Sequence, residues 1–499
     1  MPNASGLAFL PPRLDQRVLA IARRLLPLWL RSHGLRRLEV EGLARLQEAM
    51  DDFQGGRCRL LLAFRHPSLD DPAVMAHLLW SDLARAGRPL GSRNGSGAVR
   101  PGARSAPAAG NSRRFRPHPH AQFLYDRGIP LWAGARIGWL LAHLGGCSIQ
   151  RGGLDLPALR TARALLLDGP HPFAVAPEGA TNGHNEVVSP LEPGVAQLAL
   201  WTAEDLDRAG RPEATLILPV GLQYSYLGPV WPAIEALLGQ LEAEAGLPPA
   251  ADRSLQPERL YGRLLQLAER ILERMERFYR GLHPQPLAPA AAGTIAAGSG
   301  RGPDHDASDL TERLEHLLEM ALGMAERDLA VEPHGNRGER CRRLEQAGWE
   351  RLYPSPGGPF GPSAAGGPSP LERSLAERLA LETERSLWHM RLAESFVAVS
   401  GRYVRDQPSQ ERFADTLLIL WDTLCRIRGR PIGPRPHLGP RRALIRIGAP
   451  LAVADRLAAY RADRRAAVAD LTAALQQRLE GLIVPSAEAG PASGERDRP

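Results

Sequence analysis

The sequence predicts an α/β protein: a mixed, largely parallel sheet flanked by helices, with a long helical insertion and a returning C-terminal strand and helix. Three observations predict it. From Arg57 to about Tyr226, short apolar runs alternate with amphipathic stretches, which is the pattern of parallel strands joined by crossover helices. Beyond Trp231 the short runs give way to long amphipathic helices. Near the end, RALIRIGAPLAV reads as one more strand before a last helix.

These features divide the chain into an N-terminal amphipathic helix (1–39), a core (40–228), a helical insertion with disordered linkers (229–440), a strand–helix that completes the core (441–484) and a disordered tail (485–499). Residues 13–31, RLDQRVLAIARRLLPLWLR, put Leu14, Val18, Ile21, Leu25 and Leu28 on one stripe flanked by Arg17, Arg24 and Arg31, with a kink expected at Pro27. Such a helix either packs on the protein's own core or lies on a bilayer surface. Leu60 to Phe64 reads as a buried strand and Ala73 to Leu83 as a helix. Residues 91–120, rich in Gly, Ser, Pro and Arg, read as a flexible insertion. CSIQR (strand), Leu154 to Leu167 (helix), PFAVA (strand), Pro193 to Leu206 (helix) and ATLILPVGLQY (strand) follow.

The insertion carries helices at Pro257 to Leu282, Leu310 to Leu329, Leu371 to Val404 and Gln410 to Arg428. Its linkers are HPQPLAPAAAGTIAAGSGRGPDHDAS and SPGGPFGPSAAGGPSP. Ala458 to Leu482 is the closing helix.

At 499 residues and 43% hydrophobic content the chain has ample material for a core. No run of eighteen uncharged apolar residues predicts a membrane-spanning helix, and no secretory signal opens the chain, so a cytoplasmic location is expected. Cys58, Cys147, Cys341 and Cys425 lack the spacing of a metal site or a disulfide scaffold. The net charge is +7, and all 62 basic residues are arginine. Absence of lysine throughout points to nucleotide composition rather than to any one site. A positive chain suits nucleic acid, an anionic membrane or a phosphorylated substrate. No nucleic-acid-binding module is present, which leaves the last two.

Three strands end in polar loops that face one another if the strands are parallel neighbours. The first carries FRHPSLDDP, with His66 and Asp71; the second ends at Arg151; the third ends APEGATNGHN, with Glu178 and Gly179. His66 and Asp71 have two readings. They are a catalytic pair, in which the carboxylate takes the Nδ1 proton and leaves Nε2 as a base, or a loop histidine beside a helix cap. Ser68 with Asp71 has the form of a capping box before Pro72. Asp70 is a second candidate partner. His77 and Asp82 repeat the spacing, but within a regular helix five residues turn about 140° past one full turn and part the two side chains.

HPSLDD, GCSIQRG, VAPEGATNG and LILPVGL occur in the order and at the intervals of the four motifs of the glycerolipid acyltransferase family. That family includes the 1-acyl-glycerol-3-phosphate acyltransferases. The stretch from Val40 to Leu222 resembles its shared core, and IRIGAPLAV is similar to its closing strand. The resemblance implies transfer of a fatty acyl group from a thioester to a lysophospholipid hydroxyl in phospholipid biosynthesis, with 1-acyl-glycerol-3-phosphate as the first expected acceptor and phosphatidic acid as the product. It implies His66 as general base, Asp71 as the residue that orients it, and Arg151 as the ligand of the acceptor's phosphate. Glu178 and Gly179 match the signature that shapes the acceptor site, and Pro219 matches the last motif.

Residue by residue, simpler readings stand beside these: a surface ion pair for Arg151, a turn residue for Glu178, a strand end for Pro219. The expected co-substrate is acyl-CoA or acyl carrier protein, with no bound cofactor or metal, and the expected partner is an anionic membrane surface met peripherally.

The chain departs from the family at two places. The signature commonly continues Thr-Arg, where this chain has Ala180 and Thr181, and a basic residue usual before the next Gly is Glu192 in PLEPG. Two cationic contacts are therefore missing. Thr181 and Asn182, with His184 and Asn185, offer neutral groups as acceptor contacts or turn formers. Two other readings follow: the same chemistry on another lipid acceptor, or a non-catalytic lipid-binding scaffold whose helices hold partners.

Overall fold

The computed structural model describes residues 9–86, 119–151, 155–251, 253–282, 303–354, 369–396, 402–430 and 435–486. Within them the fold is α/β, a mixed sheet of mostly parallel strands flanked by helices. The strands are β1 (Leu35–Glu41), β2 (Cys58–Phe64), β3 (Gln122–Asp126), β4 (Gly146–Ile149), β5 (Phe173–Val175), β6 (Ala214–Tyr226), β7 (Arg441–Ile447) and β8 (Leu451–Ala452). They lie in the order β1-β7-β6-β2-β5-β3-β4, with β8 also on β6.

The central strand shows why the apolar runs are strands. In β2, Leu60, Leu62 and Phe64 enter the cluster on one face of the sheet, while Leu61 and Ala63 enter the cluster on the other. A strand covered on both faces reads as continuous rather than alternating hydrophobicity.

β6 organises the rest. Ala214 to Val220 run parallel to β2, and Val220 to Tyr226 run antiparallel to β7. Pro219 falls between the β8 pairing, which ends at Ile217, and the β7 pairing, which starts at Val220. A residue without an N–H is tolerated at such a break, and its carbonyl accepts the Gly448 N–H at 2.9 Å.

The helical insertion leaves the sheet at Tyr226 and rejoins it at Arg441, and these two residues are direct partners across β6 and β7. It builds its own apolar core, with Leu238, Leu264, Leu318, Leu344, Leu387 and Leu417 all buried. Within the loop of one strand pair the chain has thus inserted a second packed body.

Several expectations need correction. Of the two readings of the N-terminal helix, Gln16–Ser32, core packing fails for Ile21, Leu25 and Leu28, which are exposed, and Leu19 and Leu30 are buried instead. The expected helix Leu371 to Val404 stops at Glu394, and Tyr403–Asp406 forms a separate turn. Residues 397–401 between them lie outside the described residues. RALIRIGAPLAV divides into β7 and β8 at Gly448 and Pro450.

The first linker is shorter than expected, because a helix begins at Pro303. Ser486, assigned to the tail, donates its backbone N–H to Glu186 at 2.9 Å. Residues 87–118, which hold most of the expected insertion, and the bulk of both linkers and the tail lie outside the described residues.

Candidate active site

β2, β5, β3 and β4 are consecutive parallel neighbours, so the loops after β2, β5 and β4 gather at one edge of the sheet. His66, Glu178 and Arg151 stand on those three loops.

His66 Nδ1 lies 2.9 Å from Asp71 Oδ2. Asp71 is the first residue of the helix Asp71–His77, but its carboxylate turns backward: Oδ2 also accepts the Ser68 N–H at 2.8 Å. This is half of a capping box, and the same oxygen serves the imidazole. Asp70 is not the partner; it pairs with Arg441 at 2.7 Å. Nδ1 of His66 is thereby committed, and Nε2 is the nitrogen left for a substrate on a ring that keeps 19% of its surface exposed.

Asp71 is fully buried, and its other oxygen accepts the Tyr224 hydroxyl. Burial pushes the Asp71 carboxyl above its ordinary value, while hydrogen bonds from His66, Tyr224 and Ser68 pull it back. Burial, with the adjacent Asp71 charge, holds the Tyr224 phenol well above the usual range, so it stays a donor.

Glu178 organises the loop from behind. Oε1 accepts the His66 N–H at 2.8 Å, and Oε2 accepts the Ser189 N–H at 2.9 Å and the Asn182 side-chain amide at 3.0 Å. Arg65, 1% exposed, puts Nε 3.8 Å from Oε1 and donates to the carbonyls of His184, Asn185 and Val187. Gly179 follows with φ of +73°, in the left-handed region, and a Cβ there would meet Glu192 Oε1 at 2.0 Å. Only glycine fits.

The neutral residues of this loop have internal work. Asn182 spans Glu178, Val187 and Ser189, and its oxygen accepts the His184 N–H. Asn185 links the core to the insertion: its side-chain amide and its backbone N–H both reach Asp415, and its oxygen accepts the Tyr224 N–H. His184 is buried against the Tyr403 ring, and burial drives its imidazole down to about 4. Burial likewise raises Asp415 to about 6. Thr181 alone of the set is exposed.

Arg151 stands differently from expectation. Its Nε lies 2.6 Å from Asp126 Oδ2, Nη1 donates to Gly179 O at 3.0 Å, and Nη2 lies 3.1 Å from Glu345 and 3.7 Å from Glu394. Only 15% of the side chain is exposed. Glu345 and Glu394 come from the insertion, on helices Arg337–Leu352 and Pro370–Glu394.

His77 and Asp82 also differ from expectation. Their nearest atoms approach to 3.9 Å because Leu78–Leu83 is a π-helical turn; its i→i+5 spacing brings together residues that a regular helix parts.

The sequence reading missed Arg65, Tyr224 and both insertion glutamates. Arg65 had a local signal, a charge ending an apolar strand; the others meet the site only through the fold.

Among the described residues no group of three or more His, Cys, Asp or Glu side chains is placed to hold a metal ion, and no helix is long and apolar enough to cross a membrane. Comparison of the chain with protein-family models, curated proteins and solved structures finds no match in any of the three.

Proposed function

We propose that the protein is an O-acyltransferase that moves a fatty acyl group from a thioester to the hydroxyl of a lipid acceptor. The observation that carries this reading is the His66–Asp71–Tyr224 chain at the sheet edge, with the imidazole held by one nitrogen and accessible. His66 Nε2 takes the acceptor's hydroxyl proton as the oxygen attacks the thioester carbonyl. The carbon–sulfur bond then breaks, and the leaving thiolate takes the proton back from the imidazolium, which gives an ester and a free thiol. A thioester is already activated, so positioning and proton removal are the main demands on the protein.

The second part of the reading is peripheral membrane attachment. Ile21, Leu25, Leu28 and Trp29 of the N-terminal helix are exposed, as are Leu69 between His66 and Asp71, and Ile137 and Trp139 on the helix Ala135–His143. The N-terminal helix packs against the helix that Asp71 begins and against Ala135–His143. Exposed arginines at 17, 24 and 31 flank the apolar residues, a composition that suits the interface of an anionic bilayer.

A matrix of acyl-CoA and acyl carrier protein donors against lipid acceptors tests the reaction, with His66→Ala as the control. Ester formation that the substitution abolishes, in a protein with an unchanged circular dichroism spectrum, supports it. Ester formation that survives the substitution removes His66 from the mechanism.

A further inference from the structure

One face of the helix Arg337–Leu352 touches three loops at the site edge. Arg342, Glu345, Gln346 and Trp349 recur at helical spacing and share that face. Arg342 lies 3.0 Å from Glu192, Glu345 lies 3.1 Å from Arg151, and Gln346 accepts the Gln150 side-chain amide at 2.7 Å. The Trp349 indole lies so close to Gly128 that a Cβ there would meet it at 2.7 Å. The helix is seated across the place where the resemblance puts the acceptor's phosphate.

The charges at that place are already matched. Nη1 of Arg151 donates to Gly179 O and Nη2 to Glu345, with Glu394 3.7 Å from Nη2, while the Asp126 carboxylate lies 2.6 Å from Nε as an ion pair that makes no hydrogen bond there. The position where the family carries a base is Glu192, and its neutralising partner, Arg342, comes from the seated helix. The reversed charge in the core loop and the arginine in the insertion are thus partners across the contact. A phosphomonoester entering here would displace carboxylates of its own sign from a poorly solvated guanidinium, where repulsion is weakly screened.

We infer that Glu345 and Glu394 stand in the place of an acceptor phosphate, so that the acceptor is a lipid alcohol with an uncharged headgroup, such as a monoacylglycerol, rather than 1-acyl-glycerol-3-phosphate. This rests on the acyltransferase reading above and specifies its acceptor. Arg151 then serves as the clasp between sheet and insertion, and Glu345 and Glu394 are specificity-determining residues.

The test presents monoacylglycerol and 1-acyl-glycerol-3-phosphate in the same neutral micelles to the purified full chain, with one labelled thioester, at pH 8. The wild type should show kcat/KM at least tenfold higher for monoacylglycerol. In Glu345→Gln/Glu394→Gln, the ratio of kcat/KM for the phosphorylated acceptor to that for the uncharged one should rise at least tenfold, through KM for the phosphorylated acceptor. Glu394→Gln alone, at the more exposed carboxylate, should move the ratio in the same direction if the double variant fails to fold.

A wild type that prefers 1-acyl-glycerol-3-phosphate, or a ratio that none of these variants moves, overturns the acceptor assignment and leaves the acyltransferase reading standing. No ester from any donor and acceptor overturns both.

Discussion

The His66 end and the Arg151 end of one loop cluster settle their polar groups in opposite ways. At His66 every partner converges on one nitrogen: Asp71 holds Nδ1, Tyr224 and Ser68 hold Asp71, and Glu178 holds the backbone, while Nε2 stays available. At Arg151 three carboxylates and a carbonyl surround the guanidinium: Asp126 near Nε, Gly179 O at Nη1, and Glu345 with Glu394 at Nη2. The first arrangement leaves one nitrogen open to a ligand, and the second neutralises a charge without one. Matching residues in matching order therefore need not carry matching roles, because a role depends on which atoms the fold leaves uncommitted.

The largest effect tests the available end. His66→Ala should lower kcat/KM by about a thousandfold, within the range for loss of a general base, and cost only about 1 to 3 kcal/mol of stability, the loss of one hydrogen bond to the buried Asp71 carboxylate. A comparable loss in both activity and stability would make His66 a structural residue and erase the contrast.

Glu178→Ala should act through stability instead. It removes acceptors from three donors and leaves buried Arg65 without its nearest carboxylate. Breaking a buried charge pair costs about 3 kcal/mol or more, so denaturant unfolding should show a loss of that order. A variant as stable as the wild type would mean that the loop is held by other contacts.

How much of this was legible follows from sequence separation. His66 and Asp71 are five residues apart in one turn, and the apolar run before them marks the strand, so the pair could be read from the chain. Strands β2, β5 and β6 were legible because their buried runs are apolar, whereas β3, with Gln122 and Asp126 at its ends, presents no such run and was not expected. β1 was not expected either, because an edge strand alternates Leu35, Leu38 and Val40 with Arg36, Arg37, Glu39 and Glu41. Tyr224 lies 153 residues from Asp71, and Glu345 lies 194 from Arg151. No local pattern encodes such meetings. The return of the insertion at a C-terminal strand was legible in RALIRIGAPLAV, but the pairing of Tyr226 with Arg441 was not, since register is a property of the paired strands and not of either one.

Tyr224→Phe sharpens the contrast at the available end by removing one donor from Asp71 and nothing from the substrate. The Asp71 carboxyl, already raised by burial, should rise further. A smaller fraction is then ionised at low pH, so the acidic limb of the kcat profile should move to higher pH and kcat should fall about tenfold, the worth of one hydrogen bond to a charged group. KM should change little. An unshifted limb would mean that Tyr224 only fills space.

The smallest effect belongs to the closed end and needs no catalysis to observe. Burial pushes the Glu345 carboxyl up to about 7; Arg151 opposes the shift, while Glu394 and Asp126 add to it and Arg391 reduces it. A carboxyl raised in the folded state is stabilising when protonated, so its contribution is full below its ordinary value of 4.5 and is lost as pH rises through about 7. The seat of the helix Arg337–Leu352 should therefore loosen between pH 5 and pH 8 (on the order of the two values just named). Hydrogen exchange, corrected for intrinsic rates, should show that helix less protected at the higher pH, while the β2 and β6 amides do not change. Glu345→Gln stays neutral and should flatten the dependence. Protection that increases with pH would mean that the Arg151–Glu345 ion pair, rather than desolvation of the carboxylate, governs the contact, and the two ends of the cluster would then differ less than their geometry suggests.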